Sequence, residues 1–308
     1  MKFNSLFQKY LDCSNSAEVF DYFKNTLTDS VTLWNYFVNW DKVLKNFSEV
    51  EMYLNLLNYL IGKNDVKEAF RDLLNQYPKI VSIIPILLAC RNKNFRILRE
   101  YSSSNLTYKT FDFESRSQLT EQEISDVLEF TQKTGLLTLF TNRTIKSVPD
   151  YVFGIEVGLD SNGRKNRSGS TMETIVKSLL HRICQEQNLS FIEQATSSKI
   201  QQEWGIKVSV DKSSRRFDFA VRNKEILYLI ETNFYAGGGS KLKSTAGEYR
   251  ALFDFISQQK HKFIWITDGI GWKTALNPLE ETFNYIEYTF NLKMGSTGLI
   301  SAIITQNL

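Results

Sequence analysis

The stretch from Arg215 to Lys243 constrains the fold more than any other part of the chain. It contains two short apolar runs, F-D-F-A-V and I-L-Y-L-I-E, separated by the polar turn R-N-K-E. Two strand-length apolar runs around a short polar turn predict a β-hairpin. Asp218 lies inside the first predicted strand, whereas Glu231 closes the second and Asn233 follows two residues later. The hairpin brings Asp218 and Glu231 to the same end of a small sheet, and Glu231 and Asn233 share a face.

Two carboxylates brought together on an apolar sheet repel each other, and a bound cation relieves that repulsion. Carboxylate oxygens are the ligands that Mg²⁺ prefers in proteins. Asp218 and Glu231 therefore predict a Mg²⁺ site for phosphodiester hydrolysis. The alternative that the hairpin pattern leaves open is a pair of solvated edge charges, because charged strand residues usually end in water.

Composition limits the class of protein. The 308 residues suffice for two domains or one large one, and 42% hydrophobic with 23% charged residues is typical of a soluble globular protein. The net charge is only +3, so any affinity for polyanions must come from local patches. The N-terminus has no long apolar stretch and no run approaches about 18 apolar residues, so we expect neither a signal peptide nor a membrane span.

The cysteines and histidines argue against a disulfide framework and a zinc site. Cys13, Cys90 and Cys184 are far apart and lie in apolar or helical segments, as expected of buried thiols in a reducing compartment. We therefore expect a cytoplasmic protein. His181 and His261 have neither metal-ligand spacing nor a cysteine partner.

Residues 1–145 are predicted to form a mostly helical N-terminal region. Apolar residues recur at helical spacing in segments that begin at Ala17, Ser48 and Asp65. We find no catalytic pattern in this region. It could be a scaffold, a dimerisation surface or a DNA clamp, and the sequence does not choose among them.

An aromatic cluster in this region allows two interpretations. Trp34, Tyr36, Phe37 and Trp40 could stack on nucleic-acid bases. Their spacing favours a helix that packs its apolar side into a core, and we expect the core.

Residues 146–308 change character and begin with a helix capped by Ser147. The polar segment D-S-N-G-R-K-N-R-S-G then predicts a basic loop that opens a second helix at about Ser170. Its candidates for DNA contact are Arg164, Lys165, Asn166 and Arg167. Cationic side chains and exposed N–H groups before a helix suit phosphate binding, although an ordinary solvated loop fits as well. Glu173 lies in the first turn of this predicted helix.

The remaining elements alternate between strands and helices. We predict strands at 190–195, 206–210 and 262–268 around the hairpin, and helices at 241–257 and about 271–285. This order predicts a mixed α/β core. At the turn after the last of these strands, Asp268, Gly269 and Trp272 either face DNA or, for Trp272, pack inside.

Both the order and the local sequences resemble a known nuclease superfamily. The order of Glu173, Asp218 and Glu231 resembles that of the PD-(D/E)xK nucleases, which carry an Asp on one strand and Glu-x-Lys on the next. Four segments are similar to those of the DpnII/MboI type II restriction endonucleases: G-I-E-V-G-L-D-S-N-G-R-K-N-R-S-G, R-F-D-F-A-V, L-Y-L-I-E-T-N-F-Y-A-G-G-G-S-K-L and W-I-T-D-G-I-G-W. The resemblance implies a restriction-endonuclease-like mixed sheet flanked by helices, with the nuclease core at 146–308.

The resemblance also implies roles for individual residues. The four candidate catalytic residues are Glu173, Asp218, Glu231 and Asn233. The implied Mg²⁺ ligands are Asp218, Glu231, the backbone carbonyl of Thr232, and Glu173 directly or through water. Asn233 stands where the superfamily usually has Lys, so it orients water by hydrogen bonds rather than supplying charge. Lys241, a further candidate for DNA contact, or a second metal could supply the missing cation.

The implied activity is Mg²⁺-dependent cleavage of double-stranded DNA at 5′-GATC-3′, before the G, by a homodimer. It leaves a 5′-phosphate and a 3′-hydroxyl, and adenine N6-methylation blocks it. A cognate adenine methyltransferase of the restriction-modification system acts on the same site but need not bind this chain. Three alternatives remain open: a same-fold nuclease with another site, a DNA-binding protein that has lost cleavage, and an interaction protein built on the N-terminal helices.

Overall fold

The computed structural model describes residues 2–101 and 105–308, except for the side chains at positions 101, 165 and 240. Two compact units make up the chain: Met1–Trp34 with Lys165–Leu308, and Asn35–Arg164. This division differs from the predicted boundary between residues 145 and 146. The reason is packing, because Phe7 and Phe23 near the N-terminus are buried in the core around the large sheet, whereas Val148 and Val152 are buried with the helices of the other unit.

Helices dominate the first half of the chain, and the second half alternates between helices and strands. In chain order, the first half carries α1 (Ser5–Leu11), α2 (Ser16–Asn25), α3 (Trp40–Ser48), α4 (Glu51–Leu57), α5 (Val66–Gln76), β1 (Asn94–Tyr101), β2 (Leu106–Asp112), α6 (Glu121–Lys133), α7 (Leu136–Thr141) and α8 (Val148–Ser161). The second half carries α9 (Arg164–Gln187), β3 (Ser190–Thr196), α10 (Ser197–Trp204), β4 (Arg216–Asn223), β5 (Ile226–Phe234), α11 (Ser240–Ser257), β6 (Lys262–Asp268), α12 (Leu276–Tyr285), β7 (Tyr288–Phe290), α13 (Leu292–Gly295) and α14 (Leu299–Thr305).

The unit Asn35–Arg164 is built from helices and the antiparallel β1–β2 hairpin. Its core includes a ring cluster in which Phe113 and Phe130 lie 4.7 Å apart between centroids. Helix α6 begins at a capping box formed by Thr120 and Glu123, which satisfies N–H groups that the first helical turn leaves unpaired. None of the helices described between residues 2 and 308 is long and apolar enough to cross a membrane.

The predicted burial of the aromatic cluster is wrong. Trp34 is 96% exposed, and Phe37 and Trp40 are about half exposed. Residues 34–36 form a 3₁₀ turn, and α3 begins only at Trp40. The four aromatic residues therefore do not share one helical face, which the prediction of a packed helix required.

The larger unit is organised around a five-stranded sheet with the order β3-β4-β5-β6-β7. Strands β3, β4 and β5 are antiparallel neighbours, whereas β5, β6 and β7 run parallel. The mixed α/β sheet flanked by helices is therefore confirmed. The strand predicted at 206–210 is wrong, because side chains satisfy its backbone: Gln259 accepts from the Ser209 N–H at 2.8 Å and Ser197 donates to the Val208 carbonyl.

Asp268 ties the N-terminal segment to the carboxyl edge of the sheet. It ends β6 and is fully buried. Its carboxylate accepts hydrogen bonds from the N–H and hydroxyl of Thr28, at 2.7 and 3.0 Å, and from the N–H groups of Gly269 and Leu292. Trp272 is also buried and donates to Thr267 at 2.8 Å. Both side chains thus pack inside rather than face DNA.

Two glycines let the loops after β5 and β6 cross in contact. Gly269 has a φ of +108°, and a Cβ atom there would lie 2.3 Å from the Tyr235 carbonyl oxygen. A Cβ atom at Gly271 would lie 2.5 Å from the Gly237 carbonyl oxygen. The Gly271 N–H donates to the Tyr235 carbonyl at 2.8 Å, which fixes the crossing. The W-I-T-D-G-I-G-W segment is therefore a backbone crossing that side chains would block.

Replacing Gly269 with Ala is expected to destabilise the fold by about 1–3 kcal/mol or more, because the left-handed backbone and the clash add. Gly237→Ala is the matched control, since a Cβ atom there meets nothing within 4 Å. Chemical denaturation of both variants checks this. Equal stability of the two variants would contradict the proposed close crossing.

Candidate active site

The hairpin places Asp218 beside Glu231. The ladder between β4 and β5 runs to the pair Phe219–Ile230, and one more step of its register sets Asp218 opposite Glu231. Where the ladder ends, one Asp218 oxygen accepts from the Thr232 N–H at 2.7 Å and from the Thr232 hydroxyl at 2.9 Å. The predicted hairpin is confirmed, although Glu231 lies inside β5 rather than at its end.

Glu231 is a buried carboxylate with one poorly satisfied oxygen. Its residue is 7% exposed. Oε2 accepts a hydrogen bond from the Tyr249 hydroxyl at 3.4 Å. Oε1 is buried without a hydrogen-bond donor in the described part of the chain, and its nearest cation is Arg215, with 3.7 Å between Nη1 and Oε1. A buried oxygen of this kind is costly unless a charged partner reaches it.

Burial shifts the pKa of both carboxyl groups upward. It raises the pKa of Glu231 to about 8, and the charge of Asp218 adds to this rise while Arg215 opposes it. Burial also raises the pKa of Asp218, against the hydrogen bonds from Thr232 and the charge of Arg216. Ionising both groups would place more negative charge here than the surroundings stabilise, and a bound cation would favour the ionised forms.

Glu173 joins the site from α9, but not from the first turn as predicted. Because α9 begins at Arg164, Glu173 lies in its third turn. Gln194 of β3 donates to Glu173 Oε2 at 2.9 Å. Burial, followed by the charge of Asp218, raises the pKa of Glu173. The structure thus brings the third predicted carboxylate within electrostatic reach of Asp218.

The predicted basic loop before Ser170 is helical instead. Hydroxyl groups in this segment bond to the preceding turn: Ser170 Oγ donates to the Asn166 carbonyl at 3.1 Å, and Thr171 Oγ1 donates to the Arg167 carbonyl at 3.0 Å. These bonds accompany a helix that continues past Gly169, a residue expected to favour a loop. The sequence has no capping signal that distinguishes a helix starting at Arg164 from a loop that ends at Ser170.

The helical start changes where the predicted DNA contacts lie. Arg164 donates through Nε to the Phe37 carbonyl at 3.3 Å. Asn166 is exposed and Arg167 is half-buried on α9. The Lys165 side chain lies outside the described residues. Their contact with DNA stays a prediction.

Asn233 takes part in a hydrogen-bond chain that the sequence did not reveal. The Trp265 indole N–H donates to Asn233 Oδ1 at 2.8 Å. An indole N–H only donates, so the Asn233 amide group must turn its Nδ2 toward Tyr249, at 3.3 Å. Tyr249 in turn reaches Glu231. Asn233 therefore links the buried Trp265 to a site carboxylate.

Arg215 was also missed, although its position beside the hairpin could have suggested it. Its guanidinium binds Asp211 through two bonds of 2.8 and 2.7 Å and Glu248 at 3.0 Å. This pairing holds the cation at 3.7 Å from Glu231. Lys241, the cation proposed from the sequence, is exposed and forms no ion pair with any carboxylate of the described chain.

The donor set fits a cation held mainly by two carboxylates. Within residues 2–101 and 105–308, no group of three or more His, Cys, Asp or Glu residues is arranged to hold a metal by itself. Mg²⁺ commonly binds one or two carboxylates and completes its shell with substrate phosphates and water. Asp218, together with the unsatisfied oxygen of Glu231, meets that requirement.

Comparisons with known proteins agree on one family. The model of the DpnII restriction endonuclease family matches residues 19–302. The chain is 49% identical to the type II restriction enzyme MjaIII of Methanocaldococcus jannaschii over 292 residues, which cover 93% of this chain and 99% of that protein. It is 36% identical to DpnII of Streptococcus pneumoniae over 89% of this chain and 94% of that protein. For MboI of Moraxella bovis the identity is 37%, over 89% and 92% of the two chains.

In protein stripped of metal by EDTA, Glu231→Gln is expected to flatten the pH dependence of stability. Folding raises the pKa of Glu231 from 4.5 to about 8, so the folded state favours the neutral acid. The free energy of unfolding of the wild type should therefore fall as the pH rises from about 5 to about 8. Chemical denaturation across this range measures the slope.

Glu225→Gln is the matched control, because that side chain lies at the hairpin turn and is 88% exposed. The control should keep the slope of the wild type. An unchanged slope in Glu231→Gln would contradict the burial of an ionisable group at this position.

Proposed function

Because the chain belongs to the DpnII restriction endonuclease family and is a type II restriction enzyme, we propose that it cuts double-stranded DNA at 5′-GATC-3′, before the G, with Mg²⁺ as its cofactor. The observation that carries the metal requirement is the pair formed by half-buried Asp218 and buried Glu231. One oxygen of Glu231 is buried without a hydrogen-bond donor among the described residues. Arg215, 3.7 Å from this oxygen, compensates the charge of the carboxylates only in part, so a further cation is needed.

We assign the metal to Asp218, Glu231 and the backbone carbonyl of Thr232, with Glu173 binding directly or through water. Bound Mg²⁺ supplies Lewis-acid chemistry: it polarises the scissile phosphate, lowers the pKa of a bound water and stabilises the departing oxygen. Hydrolysis leaves a 5′-phosphate and a 3′-hydroxyl without a covalent enzyme intermediate.

The chain's own residues orient the ligands before substrate arrives. Thr232 holds one oxygen of Asp218 through two hydrogen bonds. Gln194 holds Glu173. Glu231 is held from opposite oxygens, by Tyr249 on Oε2 and by Arg215 near Oε1. Such preorganisation lowers the reorganisation needed when charge develops on the phosphate.

Asn233 is assigned to this positioning role as well. Its amide oxygen is occupied by Trp265 and one amide hydrogen by Tyr249. The second amide hydrogen remains to orient a water molecule. Asn233 carries no charge, so it does not replace the lysine that the superfamily usually has at this position.

Symmetry and methylation complete the proposal. A palindrome presents the same cleavage site on both strands, so a homodimer with two-fold symmetry cuts both with one arrangement. Adenine displays N7 and N6–H₂ in the major groove, where a tight amide contact leaves no room for an N6-methyl group. A cognate adenine methyltransferase thereby protects host DNA and need not bind this chain. The predicted DNA contacts are Arg164, Lys165, Asn166, Arg167 and Lys241.

Digestion of paired plasmids tests this proposal. One preparation is adenine-methylated at GATC and the other is not, and each is incubated with Mg²⁺ or EDTA. Discrete fragments are expected only from unmethylated DNA with Mg²⁺, with ends that map to GATC. Asp218→Asn should lower cleavage by at least about 100-fold, because it removes a ligand charge, whereas Glu225→Gln should retain it.

The outcomes separate the parts of the proposal. Fragments from both plasmids would contradict methylation sensitivity, and ends at another sequence would contradict GATC. Equal cleavage in Mg²⁺ and in EDTA would contradict the metal requirement. Wild-type protein that folds and binds DNA without cutting it would favour a binding protein that has lost cleavage.

A further inference from the structure

An open basic cavity lies at the start of β4, next to the carboxylates. Its volume is about 460 Å³, and its lining residues are Thr196, Lys212, Ser213, Ser214, Arg215 and Arg216. All six carry hydrogen-bond donors in their side chains, and three are cations. A concave surface with this donor set and no carboxylate in its lining suits an anion.

The sheet register directs one of these cations at the active site. Arg216 and Asp218 are two residues apart on β4 and therefore share a face. Arg216 pairs with Thr196 on β3. If the register between β4 and β5 is continued past its last pair, Arg216 falls opposite Asn233, just as Asp218 falls opposite Glu231. Arg216 thus brings a positive charge to the face of the sheet that carries Asp218, on the strand next to the one that holds Asn233.

The other two cations of the cavity are already paired. Arg215 is buried and bound to Asp211 and Glu248. Lys212 lies 2.8 Å from the same Glu248. Arg216 is exposed and forms no ion pair with a carboxylate in the part of the chain that is described. It is therefore the cation in this cavity that a ligand can bind without displacing a protein partner.

A phosphate that approaches Asp218 would meet Arg216 at the same end of the sheet, because the two residues lie two positions apart on one face of β4.

We propose that Arg216 binds the DNA phosphodiester presented to Asp218 and Glu231, or its immediate neighbour on the same strand, and so supplies the cation that Asn233 cannot. This inference rests on the proposed function, because it takes DNA as the ligand. A guanidinium offers a planar pair of donors that matches two phosphate oxygens. Thr196, Ser213 and Ser214 line the same cavity and can donate to the remaining oxygens.

The test compares wild type, Arg216→Ala and Arg182→Ala in binding and cleavage. Arg182 is an exposed arginine on α9, outside the site, and its replacement removes the same formal charge. The ligand is a duplex that carries the sequence found at the plasmid fragment ends, and binding is followed by fluorescence anisotropy in EDTA. In further duplexes, an uncharged methylphosphonate replaces the scissile phosphate or one of its two neighbours.

Arg216→Ala is expected to weaken binding roughly tenfold and to reduce the slope of log K against log salt by about one. One methylphosphonate position should weaken binding by wild type and by Arg182→Ala, yet have no further effect on Arg216→Ala. Cleavage with Mg²⁺ should fall in Arg216→Ala and recover in part in Arg216→Lys.

Equal methylphosphonate penalties and salt slopes in Arg216→Ala and wild type would overturn the inference. Wild-type cleavage of the unmethylated plasmid is measured in the same series. Active wild type with an unaltered Arg216→Ala counts against this inference alone, whereas inactive wild type counts against the proposed function. In that second case the salt slope on any duplex still decides whether Arg216 contacts a phosphate.

Discussion

The placement of buried Glu231 beside half-buried Asp218 is the constraint on which the rest of the site depends. Removing a carboxylate from water is costly unless hydrogen bonds or opposite charges replace the lost hydration. The fold replaces it only in part: Asp218 receives two bonds from Thr232, while Glu231 receives a long bond from Tyr249 and a guanidinium 3.7 Å away. The residual deficit raises the pKa of both acids, and it is the physical reason for assigning a cation here.

At the site, β5 remains paired with β6 on one side but is no longer paired with β4 on the other. The backbone pairing of β4 with β5 ends at Phe219 and Ile230, and beyond it the Asp218 carboxylate accepts the hydrogen bonds of Thr232 instead. On the other side, β5 and β6 remain paired to Phe234 and Asp268. The loops that follow them are pinned by backbone bonds. A site at such a transition combines fixed ligands with access for an extended polymer.

Sequence reasoning predicted those parts that follow from local pattern. The hairpin, the strand 262–268 and the carboxylate pair all rest on continuous apolar runs of strand length and, for the hairpin, on a polar turn. It was wrong where several local signals compete, as at Gly169, where loop-forming residues continue a helix. It could not reveal the pairing of Tyr249 or Arg215 with Glu231, because those contacts depend on how α11 and the segment before β4 pack against the sheet. The exposure of Trp34 was missed because aromatic residues close together in the sequence are typical of a buried core, and the sequence does not show which way each side chain points.

The bond from Trp265 to Asn233 has a consequence for how this site can change over time. A lysine at position 233 has no acceptor, so it would leave the buried indole N–H unpaired and place an ammonium group beside it. Asparagine and tryptophan are therefore coupled, and neither can be exchanged alone without loss. Any exchange of Asn233 for a cationic residue would therefore require a second change at Trp265, so the charge of this position and the buried ring can only change together.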